Sequence, residues 1–267
     1  MGAGAEVLLV GRRCGCAAAL AVTLGLALGL ASSAAAGTVR AADYDAFWLW
    51  AGVKPQPALA VARTLYILQG QVAPLSADVE GRLIAQGGAV PHLRGVEIWL
   101  DYRAHTLRWS PAVYAQILAR LARWRAAGDP VVGLQIDFDS GTRHLADYAA
   151  FLQSLRARLP PDCRLSITGL LDWSSQGDSA ALDALGGVVD EVVLQTYQGR
   201  RTIPGYEAYL ARLGRLKVPF KIGLVQGGDW RAPPDLTANP WFQGYVVFLK
   251  NPGVSPSIPP AASPSKP

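Results

Sequence analysis

The chain has 267 residues, 51% of them hydrophobic and 17% charged. That is enough for one barrel-sized domain and thin for two, and it excludes disorder across the whole chain. The formal net charge of +5 is scattered along helix-like stretches such as Leu118–Arg125, which argues against nucleic acid as a partner.

The N-terminus reads as a secretory signal. Arg12 and Arg13 form a basic start, Ala17–Ala31 is an uncharged apolar run, and Ala34, Ala35 and Ala36 supply a small-residue cleavage pattern. Residues 1–36 are therefore expected to be a signal peptide, and the mature protein to be exported to the periplasm or the extracellular space. The alternative is an uncleaved anchor, for which the run is short against the ~20 residues a span requires. No other stretch is long and apolar enough to span, so no membrane span is expected after cleavage. Cys14 and Cys16 precede the apolar run, which leaves Cys163 alone in the mature chain with no internal disulfide to form.

From Ala42 to Asn251, short runs rich in β-branched and aromatic residues recur: Phe47–Val53, Thr64–Gln69, Gly95–Tyr102, Val131–Asp139, Arg164–Leu170, Glu191–Tyr197, Phe220–Gln226 and Gly244–Leu249. Each has strand length and turn-forming flanks. Between several of them lie helical patterns. Pro111–Ala127 opens on Ser110 and stops at Gly128, His144–Leu159 stops at Pro160, and Ser179–Leu185 and Tyr206–Leu216 are shorter. Alternating strands and helices predict parallel βαβ units, and eight strands predict a compact (β/α)8 TIM-type barrel in the α/β class. Some of its helices are expected to be short or missing. Only a brief segment links the first two strands, and Ala232–Trp241 carries Pro233, Pro234 and Pro240. Residues 252–267, rich in Pro, Ser and Ala, are expected to be a disordered tail.

Strand alternation then places polar groups together. In the fourth run Leu134, Ile136 and Phe138 share one face, and Gln135, Asp137 and Asp139 share the other, which faces the barrel interior. In the third run Glu97, Trp99 and Asp101 face in. Gln195 and Tyr197 share a face in the sixth, and Lys221 points inward in the seventh, where a structural pair with Glu97 is expected. Asp137, Asp139 and Asp101 lie toward the C-terminal end, where barrel enzymes keep their sites, and are the candidate catalytic carboxylates. Of the tryptophans Trp48, Trp50, Trp99, Trp173 and Trp230, those in loops, Trp173 and Trp230, are the better candidates to meet a ligand. Trp99, Gln135, Gln195 and Asp172 complete the candidate binding set. His92, His105 and His144 lack paired ligand spacing, and no glycine run has phosphate-loop spacing, so neither metal nor cofactor is expected. A monomer is expected.

The fourth strand, LQIDFDSG (Leu134–Gly141), resembles that of the chitinase-type glycoside hydrolases, which ends in D-G-x-D-x-D-x-E. Asp137 and Asp139 match the second and third acids, Leu134 stands at the first, and Gly141 stands where the family has its catalytic Glu. In QTYQ, Tyr197 matches the tyrosine of the family's M-x-Y-D motif, and Gln198 replaces its Asp. The wider domain looks like a bacterial exported family of unknown function with a glycosidase-like barrel. FWLW (Phe47–Trp50), TLYILQG (Thr64–Gly70), YAAFLQSLRARLP (Tyr148–Pro160), LSITGLLDW (Leu165–Trp173) and VDEVVLQTYQG (Val189–Gly199) carry that likeness. The resemblance implies an envelope or extracellular polysaccharide, or another glycan, as ligand, with Tyr197 joining the candidate catalytic set. It also implies that the usual proton donor is missing. Asp139 would then act as the acid with Asp101 or Asp172 as its partner, or the protein would bind glycans or scaffold an envelope assembly without cutting.

Overall fold

The computed structural model describes residues 37–251 except 51, 75, 77–78, 87–93 and 174–176. The expected signal peptide and tail lie outside the described residues. All eight expected strands form: β1 (Ala46–Leu49), β2 (Thr64–Pro74), β3 (Glu97–Ala104), β4 (Val131–Asp137), β5 (Arg164–Leu170), β6 (Glu191–Gln195), β7 (Phe220–Val225) and β8 (Phe242–Phe248). Each pairs in parallel with the next, as in Leu100 beside Leu134 and Leu134 beside Leu165. β8 returns to β1 through Val247 beside Phe47, and β1 pairs with β2 through Ala46 beside Thr64. The sheet is thus a closed eight-stranded parallel barrel of the TIM type.

Four α-helices occur among the described residues: α1 (Pro111–Ala126), α2 (Leu145–Arg156), α3 (Ser179–Gly186) and α4 (Tyr206–Leu210). Pro111 occupies the first turn of α1, where its missing N–H is harmless, and Gly128, at φ +86°, takes the left-handed turn that follows the helix. Where prolines crowd the connections, only single 3-10 turns form, at Pro57–Val61 and Leu236–Ala238. Between β2 and β3 lies a strand, Gly81–Ala85, which pairs antiparallel with the extended end of β2. Gly37–Thr38 pairs antiparallel with Asp229–Trp230. No helix among the described residues is long and apolar enough to cross a membrane.

The alternation read from the sequence sets two cores. Leu134, Ile136, Leu165 and Ile167 face outward and join Ile117 and Leu121 of α1 and Tyr148 and Leu152 of α2 in the main core. Inside the barrel, Trp48, Tyr66, Trp99, Val193 and Val246 form a separate cluster. Two inward positions are glycine because the indoles fill their space: a Cβ on Gly133 would lie 2.6 Å from the Trp99 ring, and one on Gly223 would lie 2.9 Å from that of Trp48.

The lower half of the interior holds a closed polar network. Lys221 Nζ lies 2.9 Å from Glu191 Oε2. Glu191 Oε1 accepts from the Tyr66 hydroxyl at 2.7 Å and from the Ser166 hydroxyl at 2.9 Å. Gln135 donates to Ser166 and accepts from the Trp48 indole. The partner of Lys221 is therefore Glu191 and not Glu97, which sits exposed at the first residue of β3. Glu191 lies on the adjacent strand, on the same inward face.

Candidate functional site

At the C-terminal ends of the strands the interior opens into a cavity of about 580 Å³. Its wall combines aromatic and apolar groups (Trp50, Tyr197, Tyr209, Phe248, Ile203) with Gln71, Gln195, Gln198, His105, Arg103, Asp137, Asp139 and Asp172. A concave site of this size with a few convergent polar groups is what a small ligand or polymer segment requires.

The polar side of the wall is organised by Arg103. Arg103 and Asp137 are register partners in β3 and β4, so their inward side chains are neighbours. The Arg103 Nη1 atom lies 2.8 Å from Asp137 Oδ1 and 3.4 Å from Asp139 Oδ1, while Nη2 pairs with Asp139 Oδ2. Asp137 Oδ1 also accepts from the Thr168 hydroxyl at 2.8 Å. One guanidinium thus clamps both carboxylates of the fourth strand, a geometry suited to its planar fork of donors. Burial raises the Asp137 carboxyl while Arg103 and Thr168 oppose the rise.

Asp101 lies beneath this layer and is 1% exposed. Neither of its oxygens makes a hydrogen bond of full geometry, although the Trp50 side chain and the Tyr102 backbone amide help to lower its pKa. Burial, and then the charge of Asp137, push that carboxyl well above its ordinary range. Asp101 is buried and does not line the cavity. Asp172, in the turn after β5, lines the cavity, and burial raises its pKa too.

Of the residues expected from sequence, Asp137, Asp139, Asp172, Gln195 and Tyr197 are brought together around the cavity. The others lie elsewhere. Gln135 is wholly buried in the lower network. Trp99 stacks on Tyr66 with ring centres 5.8 Å apart, deep in the barrel. Trp173 is 1% exposed; its indole donates to the Ser140 carbonyl at 2.8 Å and its ring meets Tyr148, so it ties the loop after β5 to the loop after β4 beside Asp172. Trp230 is buried against Tyr206 and Tyr245. The expected loop tryptophans are thus core residues, and of the five tryptophans considered only Trp50 reaches the cavity. The indole needs a large apolar contact area, and these loops fold back on the barrel to supply it.

Sequence reading missed Arg103 because it ended the third strand at Tyr102. One more step of the same alternation, Glu97, Trp99, Asp101, Arg103, places the guanidinium on the inward face. It also missed Tyr209 and the pair His105 and Gln71, whose Nε2 and Oε1 atoms are 2.9 Å apart. Their signal is weaker, since they come from a strand extension and a helix that alternation does not orient. Among the described residues no group of three His, Cys, Asp or Glu is placed to hold a metal ion.

Residues 97–214, from β3 into the segment after α4, match the model of a sequence family. The match is to DUF3142, a domain of unknown function. The matched segment contributes β3 to β6 and all three carboxylates of the cavity wall. No curated protein matches the chain in sequence. Similar solved structures include the chitinase domain of the spore coat protein CotE from Clostridium difficile, at 12% identity and a TM-score of 0.44 over 67% of this chain and 64% of that one. The spore cortex-lytic enzyme SleL of Bacillus cereus aligns at 16% identity and 0.45, over 68% and 50%. A class V chitinase from Nicotiana tobaccum aligns at 13% and 0.45, over 68% and 66%. The chain spans less than two thirds of the length of the first two.

Proposed function

We propose that this is an exported, glycoside-hydrolase-like protein whose cavity takes a segment of an envelope or extracellular polysaccharide, with Asp172 as proton donor and Asp139 as the anionic counterpart. The observation that carries the reading is the wall of the cavity: aromatic faces for sugar rings, amides for hydroxyls, and carboxyl groups at the open end of a barrel. In this scheme Asp172 gives its proton to the glycosidic oxygen as the bond to the anomeric carbon breaks. A water molecule that loses a proton to the second carboxylate adds to that carbon. The raised pKa of Asp172 suits a group that must arrive protonated.

A second reading, binding without cleavage, draws support from Arg103. It occupies both β4 carboxylates, and Gly141 follows them without an acid. Reducing-end assays and mass spectrometry of products, run on the purified protein over a panel of polysaccharides, separate the two. The hydrolytic reading expects cleavage that falls by about 10²–10⁴-fold in Asp172→Asn. Cleavage retained in both Asp172→Asn and Asp139→Asn would remove these residues from the mechanism. Binding with no product from the wild type would establish the second reading.

A further inference from the structure

The rim of the cavity carries charge that the scheme above does not use. After β6, Tyr197–Gln198 and Arg201–Thr202 pair as an antiparallel hairpin, with Gln198 beside Arg201 in register and Gly199 and Arg200 at the tip. Gly199 takes a φ of +58°, as so short a turn requires. Tyr197, Gln198 and Gly199 line the cavity, so Arg200 and Arg201 stand at its edge. Lys250 follows β8, just beyond the cavity-lining Phe248, and its Nζ donates to the Arg200 carbonyl at 3.3 Å. The Lys250 backbone is fixed on both sides. Its amide donates to Gln226 Oε1 at 2.9 Å, its carbonyl accepts from Gln56 Nε2 at 3.0 Å, and Gln226 donates to Gln56 at 2.8 Å. Loops after β1, β6, β7 and β8 are thereby tied around one ammonium group at the open end of the barrel.

These cations lack a counter-ion. None of Lys250, Arg200 and Arg201 forms an ion pair among the described residues. Asp229, in the loop after β7, meets the hairpin through its carbonyl, which accepts from Thr202, and its carboxylate pairs with none of the three. The carboxylates of β4, across the eight-strand ring from β8, are taken by Arg103. Burial, and then the charge of Arg200, lower the Lys250 ammonium from its ordinary value. Like charges held together by the fold attract an anion. We infer that the polysaccharide taken by this cavity is acidic, with a carboxylate or a phosphate ester of the sugar held at the rim by Lys250 and Arg200. The inference rests on the carbohydrate reading above and narrows its substrate. Such a group projects from the edge of a sugar ring and leaves the ring faces free for the aromatic wall. A neutral sugar leaves the rim cations to water, and an amino sugar adds like charge.

The test is titration calorimetry of the full chain at neutral pH and low ionic strength. The probes are four hexamers: galacturonate, glucose carrying 6-phosphate groups, glucose and glucosamine. An acidic hexamer is expected to bind about tenfold more tightly than glucose, as two exposed ion pairs would give. The tighter of the two acidic probes identifies the anion as carboxylate or phosphate. The ratio should fall about threefold in Arg200→Gln, at the exposed hairpin tip. It should approach one in the double variant with Lys250→Gln, and in the wild type at about 1 M ionic strength. It should persist in Arg123→Gln, which removes an exposed charge of α1 and reports on net charge alone. Equal or tighter binding of the neutral or amino hexamer overturns the acidic preference and leaves the carbohydrate reading standing. A preference undiminished in the double variant, or diminished as much in Arg123→Gln, overturns the rim as its source. If none of the four binds, the carbohydrate reading falls and this inference falls with it.

Discussion

Arg103 shows how a single residue can decide what a polar cluster does. The row Gln135, Asp137, Asp139 was legible from alternation, and so was its inward direction. What alternation could not supply was the partner, because the end of a strand is set by tertiary pairing and β3 runs on to Ala104. With Arg103 in place, Asp137 is a buried, paired charge. Arg103→Met should therefore destabilise the fold by about 3–5 kcal/mol in urea denaturation, since a buried carboxylate is left without its counter-ion. A loss below about 1 kcal/mol, as for an exposed pair, would mean the clamp is not structural. Asp101 gives a second prediction at this scale. The unfolded chain releases that proton near pH 4, while the native state holds it to a higher pH. The site therefore favours the native state at low pH, and its contribution fades as the pH climbs toward the raised native value. Asp101→Asn, which cannot ionise, should gain stability relative to wild type as the pH is raised from about 4 toward neutrality. A difference that stays flat across that range would show that Asp101 holds no such proton. The groups facing it are Asp137, Arg103, Trp50 and the Tyr102 amide.

At the scale of elements, all eight barrel strands were legible because their apolar runs are short, β-branched and bounded by turns. Helices with caps and stops were placed within a few residues. The strand Gly81–Ala85 was not, since most of its residues are exposed and GRLIA has no alternation to read. The loop tryptophans misled for a related reason: sequence shows where a loop is, and burial within it depends on what the loop packs against. The glycines of the inner face are firmer ground. Gly133→Ala forces a methyl group against Trp99 and the Arg164 carbonyl, and should cost about 3 kcal/mol by overpacking; a thermal midpoint unchanged from wild type would contradict the tight interior. The start of α3 is capped by Asp178, whose Oδ1 accepts from the Ala181 amide at 2.9 Å. Asp178→Ala should lower stability by about 1 kcal/mol in the same assay, and no change would show that the cap is not needed.

For the whole molecule, the barrel separates a closed polar network from an open cavity along its axis. The lower interior is closed by Lys221, Glu191, Tyr66, Ser166 and Gln135, linked in one network. The upper interior ends in Asp101, Asp137 and Arg103, and opens to the cavity. Composition and alternation placed carboxylates at that end. The division between a buried carboxyl, a clamped pair and a wall carboxyl is a property of packing, and strand periodicity carries no trace of it. The central claim is that a sugar chain occupies the space between Trp50, Tyr197 and Asp172. A crystal structure of the protein with a hexasaccharide from the polysaccharide panel tests it most directly. The account predicts a sugar ring seated in the cavity against an aromatic face, with its hydroxyls directed at the polar wall. An empty cavity at saturating ligand, or a hexamer bound on another surface, would contradict it.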